Sequence, residues 1–109
     1  MGTTKSKQFT ESQNRRAELY KALGHPARIA IIEFIINQDS CVCGDIVDEL
    51  PLSQSTISQH LKELKNVGII KGDIEGVKTC YCIDDKVWSE LNNVNKLLNS
   101  SYSEKNKCC

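Results

Sequence analysis

Six cysteines stand in this chain of 109 residues, and they come as three close pairs: Cys41-Val42-Cys43, Cys80-Tyr81-Cys82 and Cys108-Cys109. Thiolates at such spacings bind soft or borderline metals and metalloids, or exchange electrons as disulfides, whereas magnesium and calcium prefer oxygen-rich sites. The N-terminus MGTTKS lacks the apolar stretch of a secretory signal, which predicts a cytoplasmic, reducing location. There, close thiols point to metal binding or redox sensing rather than to a framework of structural disulfides. A structural zinc module, the reading from a different class, wants cysteines two to four residues apart, and the Cys-x-Cys pairs fit that poorly. A thiol enzyme needs a base beside its cysteine. Only His25 and His60 are on offer, neither with a cysteine neighbour in sequence, so no enzymatic activity is expected. Met1-Gly2 with Ser6 and the terminal cysteine pair match lipidation patterns, but no polybasic cluster accompanies them and no membrane partner is expected.

The elements that must position these thiols follow from periodicity. Hydrophobic residues make up 39% of the chain and charged residues 26%, the balance of a globular domain with one small core, which favours dimerisation. Ala17, Tyr20 and Leu23, with Leu19 alongside, predict a first helix from Phe9 to Leu23, capped by Gly24. Pro26 suits the first turn of a second helix to about Ile36, whose sequence ARIAIIEFII is apolar nearly all round and reads as the core. A short helix bearing Ile46, Val47 and Leu50 ends at Pro51. Ser53 caps the next, with Ile57, Leu61 and Leu64 on one face and Gly68 as its stop. Runs at 69–74 and 77–83 around Glu75-Gly76 predict a β-hairpin, and Asp84 or Asp85 opens a last helix through Val87, Leu91, Val94 and Leu98. The fold class is mainly α (α+β), a winged helix-turn-helix in the order ααααββα. Residues 1–8 form a flexible arm, 9–99 the domain, and 100–109 a flexible cysteine-containing tail.

Net charge is zero, but the charge is segregated along the chain. Residues 1–32 carry six Lys/Arg against two Glu, 33–52 carry five acids and no base, and 53–82 carry four Lys against three acids. A polarised neutral protein can still offer phosphates a local positive surface. The helix after Ser53 opposes its apolar side with Gln54, Ser55, Thr56, Ser58, Gln59 and His60, a stretch without formal charge where an ordinary solvated helix carries Glu and Lys. Glutamine can pair with the adenine edge, and Ser and Thr can reach bases or phosphates, so these six residues are the candidate DNA contacts. The ordinary alternative is a solvated helix start. For His60 that alternative is a simple packing or surface role. Lys71 and Lys78 flank the hairpin, and Lys78 is the candidate phosphate contact, against the usual solubilising role of strand lysines.

Ala22-Leu-Gly-His-Pro-Ala-Arg28, Ser40-Cys-Val-Cys43, Leu52-Ser-Gln-Ser-Thr-Ile-Ser-Gln-His-Leu-Lys-Glu-Leu64, Gly68-Ile-Ile70 and the run from Gly76 to Ile83 resemble, in order and over about residues 12–98, the ArsR/SmtB family of metal-sensing repressors. The resemblance implies a homodimer held by its first and last helices, double-stranded operator DNA as partner, and release of DNA when an inducer binds. It implies a helix-capping role for His25. It also implies that Cys41 and Cys43 belong to a sensing site for arsenic(III) or a trivalent organoarsenical. This chain has Ile46 where arsenical repressors often place a third cysteine, no cysteine in its N-terminal arm, and no zinc-type ligands on its last helix. Cys41-Val42-Cys43 opens the third helix in this reading, and since residues two apart on a regular helix point about 200° away from each other, both sulfurs converge only if the helix start is distorted. The expected third thiolate is Cys108 or Cys109, and then Cys80 or Cys82, which a strand would put on one face but which can equally replace core hydrophobes. A thiol redox or persulfide sensor is the alternative within the DNA-binding class.

Overall fold

A computed structural model describes residues 8–38, 41–43, 50–73 and 80–105. Helix α1 spans Glu11–Leu23, α2 Pro26–Ile36, strand β1 Val42–Cys43, helix α3 Gln54–Asn66, strands β2 Ile70–Asp73 and β3 Cys80–Ile83, and helix α4 Asp85–Lys105. The expected short helix at Ile46 and Val47, the hairpin turn at Glu75-Gly76, Lys78, Cys108 and Cys109 lie outside the described residues.

Each helix begins where a side chain can satisfy its first amides. Thr10 and Gln13 form a reciprocal capping box at α1, with both bonds at 3.0 Å. His25 caps α2, its Nδ1 accepting from the Ala27 amide at 3.0 Å, with Pro26 in the first turn. Ser53 Oγ accepts the Thr56 amide at the start of α3. Of the two aspartates before α4, Asp84 is the cap, accepting from the amides of Lys86 and Val87. The end of α3 turns through Gly68 at φ 89°, with Gly68 N–H donating to Lys65 and Ile69 N–H to Leu64, a pair of bonds that needs the left-handed residue between them.

The core gathers Leu19 and Ala22 of α1, Ile31, Ile32 and Ile35 of α2, Ile57, Leu61 and Leu64 of α3, then Ile69, Ile70, Tyr81 and Leu91. The buried face of α1 is therefore rotated from the expected one, because Leu19 and Ala22 enter the core while Ala17 and Tyr20 face outward. Arg15 holds α1 against α4 through a two-pronged bond to Glu90, at 2.9 and 3.2 Å. Tyr20 hydroxyl donates to Asn95 one turn further on. The last helix continues past Leu98, so residues 100–105, expected as tail, are helical. No helix among the described residues is long and apolar enough to cross a membrane.

The sheet has three strands in the order β1-β3-β2, all antiparallel. The third strand corrects the expectation that Cys41-Val42-Cys43 opens a helix. Val42 is β-branched and packs on the core, and β1 occupies the edge of β3 that a two-stranded hairpin leaves unpaired. On the other side β2 crosses β3 at Gly72, whose φ is 130° and where an added Cβ would stand 2.1 Å from the Cys80 carbonyl oxygen. Gly72→Ala should therefore destabilise the domain by about 2–3 kcal/mol, through backbone strain and overpacking together. Urea unfolding should show a lower midpoint at unchanged slope, and an unchanged midpoint would contradict this register.

Candidate nucleic-acid interface and cysteine site

Helix α3 is set by its apolar side. Ile57, Leu61 and Leu64 lie against α2 and the sheet, which turns Gln54, Ser55, Thr56 and Gln59 to solvent and leaves Ser58 half-buried. The cap organises the first turn further: Ser53 Oγ donates to Thr56 Oγ1 at 2.9 Å and shares a proton contact with Ser55 Oγ at 3.2 Å. What remains outward is an uncharged polar patch at a helix N-terminus, followed by exposed Lys62 and Lys65, with Lys71 exposed on β2. Such a surface combines amide side chains for base edges with cations and helix amides for phosphates.

His60 is a correction to the expected set. It is buried, at 9% exposure, and faces inward. Its Nδ1 accepts from Arg28 Nε at 3.0 Å, and its ring lies 4.5 Å from that of His25. Arg28 Nη1 also donates to the Ala22 carbonyl at the end of α1, so one guanidinium ties α1, α2 and α3 together. Burial, then His25 and Arg28, push the His60 imidazole below the usual histidine range. A buried acceptor bonded to arginine ties α3 to α2. Arg28 itself was not singled out from sequence, although a basic residue within an otherwise apolar helix was the available signal.

The sheet determines what the cysteines do. Cys43 is the Cα partner of Cys80, and Val42 that of Tyr81, so the chain running into β1 brings Cys41 to Cys82. Cys41 and Cys82 are disulfide-bonded, with Cα atoms 4.6 Å apart across 41 positions of sequence. Cys80 is in a disulfide as well. Cys80 and Cys82 thus belong with Cys41, and the reading of them as plain hydrophobic replacements, like the expectation against disulfides, is corrected. The missed signal was the mirror symmetry of the two Cys-x-Cys pairs, each around a strand-favouring residue, Val42 and Tyr81. Among the described residues no group of three or more His, Cys, Asp or Glu is placed to hold a metal ion.

Comparison with known proteins follows the same outline. Residues 25–71 match the family described as "Bacterial regulatory protein, arsR family". The chain is 40% identical over 89 residues to an HTH-type transcriptional regulator, MJ1325, of Methanocaldococcus jannaschii, covering 80% of this chain and 99% of that protein. Among solved structures, an ArsR-like transcriptional regulator from Rhodococcus sp. RHA1 superposes with TM-score 0.72 at 15% identity, over 88% of this chain and 90% of that one, which speaks to the fold alone. Rv0081 of M. tuberculosis gives TM-score 0.60 at 28% identity, over 89% and 98%. Fold and polar helix together define a winged helix-turn-helix transcriptional regulator. The chain belongs to the ArsR family.

Closing a loop of 41 positions restricts the unfolded chain, which by loop-closure entropy stabilises the fold by about 2–4 kcal/mol. Reduction should lower unfolding free energy by about that amount, and the reductant-dependent difference should shrink in Cys82→Ser. Equal stability with and without dithiothreitol, in protein shown by mass spectrometry to carry the crosslink, would contradict the pairing.

Proposed function

We propose that the chain is a cytoplasmic, homodimeric repressor that binds double-stranded operator DNA through α3 and releases it when a thiophilic species bridges Cys41 and Cys82, arsenic(III) or a trivalent organoarsenical being the inducer. The observation that carries this reading is the convergence of those two sulfurs from segments on either side of α3. It removes the difficulty of two thiols diverging on a helix, because the partner of Cys41 comes from β3. In the dithiol form, two S–H groups condense with two hydroxyls of arsenous acid, giving two As–S bonds and two waters. A third thiolate displaces the remaining hydroxyl. Cys80, two residues from Cys82 along β3, is favoured as its source over Cys108 and Cys109. The 21-residue α4 runs about 30 Å from its start beside β3, and a tail thiol of the same protomer has to return along that length.

A second reading is favoured by the oxidised pair itself. Peroxide can take two electrons and two protons from the Cys41 and Cys82 thiols, forming the S–S bond and two waters, and so bridge the same atoms. Either bridge fixes β1 to β3 at the entrance to the helix-turn-helix, and its effect on DNA is the difference in its affinity for the bound and released conformations. For the dimer, support comes from the outward apolar residues of α4, with Leu97 66% and Tyr102 62% exposed, and from exposed Phe9 just before α1 and Tyr20 on it.

Three measurements test this reading. Arsenite added to an operator complex should release DNA from the wild type, with Cys41→Ser and Cys82→Ser needing at least about tenfold more, while removal of residues 106–109 leaves the response in place. Parental response in both serine variants places the inducer elsewhere, and loss on truncation restores the tail as third ligand. Gln54→Ala with Gln59→Ala should weaken operator binding about 10- to 100-fold with the dimer intact, and unchanged affinity would remove the assignment to α3. If Lys78 contacts phosphate, Lys78→Ala lowers affinity evenly across sequences and flattens the salt dependence.

A further inference from the structure

The contact that seats the DNA-reading helix is built on a lone pair that a proton can occupy. Arg28 Nε donates to His60 Nδ1 at 3.0 Å, which requires the tautomer carrying its proton on Nε2. The same guanidinium donates through Nη1 to the Ala22 carbonyl, at the electronegative end of α1, so it is anchored and cannot swing away without giving up that bond. His25 stands on the other side with its ring centroid 4.5 Å away, committed by its own Nδ1 to capping α2. Thus a buried imidazole on α3 faces a fixed cation and a second imidazole, both from α2. Glu63, one turn further along α3, is the acidic group acting on it, and its pull is smaller than the effects of burial, His25 and Arg28. Among the described residues, α1 and β2, the other elements packed on α3, place no titratable or charged group that acts on His60.

We propose that His60 is a proton-operated latch on the DNA-reading helix, so that acidification unseats α3 from Arg28 and lowers operator affinity. Protonation at Nδ1 turns the acceptor into a donor pointed at another donor, and places a second positive charge against the guanidinium in a buried contact. The direction follows from linkage. The seated form holds His60 neutral, below the range of a free histidine, so its full stability is present above about pH 6.5. That stability is lost as pH falls below that value and through the lower value of the seated form. The response runs against simple electrostatics, because a protein gaining positive charge ordinarily binds DNA phosphates more tightly.

This inference rests on the operator-binding reading, and the test separates the two. Operator affinity of the wild type should fall about tenfold between pH 7.5 and 5.5 at constant salt. His60→Asn, which offers Arg28 an amide oxygen in place of Nδ1 and takes up no proton, should bind at pH 7.5 and lose that fall. His25→Asn, which keeps a cap without an imidazole, should retain it. In parallel, imidazole nitrogen NMR of the free wild-type protein should show His60 as the Nε2–H tautomer at pH 7.5, titrating below the range of a free histidine, with the α3 amide signals moving in step. No binding at pH 7.5 is a failure of the operator reading alone, and the NMR titration still decides the latch. A His60 proton on Nδ1 at neutral pH, ordinary titration, or affinity that rises steadily on acidification would each overturn it.

Discussion

Antiparallel pairing of Val42–Cys43 with β3 is the constraint on which the arrangement of the site depends. It closes the open edge of the hairpin, sets Val42 against the buried Tyr81, and by its register alone brings Cys41 to Cys82. The same strand lies at the entrance to the helix-turn-helix, and β3 leads through Ile83 and Asp84 into the long α4. The Cys41–Cys82 bond therefore joins the segment that precedes α3 in sequence to the strand that precedes α4. On the far side of β3, Cys82 is the register partner of the exposed Lys71 on β2.

Helix α3 is held by two kinds of contact with different sensitivities. Its apolar residues Ile57, Leu61 and Leu64 are nearly sealed from solvent and fix its depth through burial, which neither protons nor thiol reagents change directly. Its rotation and tilt are further constrained by the Arg28–His60 bond, a single polar contact in a small core. Charge on this helix is local and independent of the net charge of zero: its N-terminal turn is uncharged, and exposed Lys62 and Lys65 follow it.

Much of this was legible in the sequence where a physical signal was local. Caps at Ser53 and Asp84, the stop at Gly68, and the i, i+4, i+7 face of α3 are properties of short segments, and the structure contains them, as it does the His25 cap that the family resemblance implied. The strand at Val42–Cys43 was not legible, since two residues carry no period and only their partners Tyr81 and Cys80, on a strand distant in sequence, make them one. His60 was misplaced because a histidine directly after two polar residues, Ser58 and Gln59, looks outward until Arg28, 32 residues earlier in sequence, supplies its hydrogen bond. Tyr20 and Ala17 sit at helical spacing yet outside the core, and the continuation of α4 past Leu98 lacks local apolar support beyond Tyr102. In each case the missing information was tertiary: which of two possible faces meets a neighbour.

The account's central claim is that joining Cys41 to Cys82 sets operator affinity, whatever atom or bond does the joining. The most direct measurement is the operator dissociation constant of one preparation, taken first as the free dithiol under strict reduction and again as the Cys41–Cys82 disulfide verified by peptide mapping. Affinity at least about tenfold weaker in the bridged form, matching the loss produced by arsenite, is the predicted result. Equal affinity of the two forms would contradict the claim and leave the disulfide as a brace of the sheet without a part in DNA release.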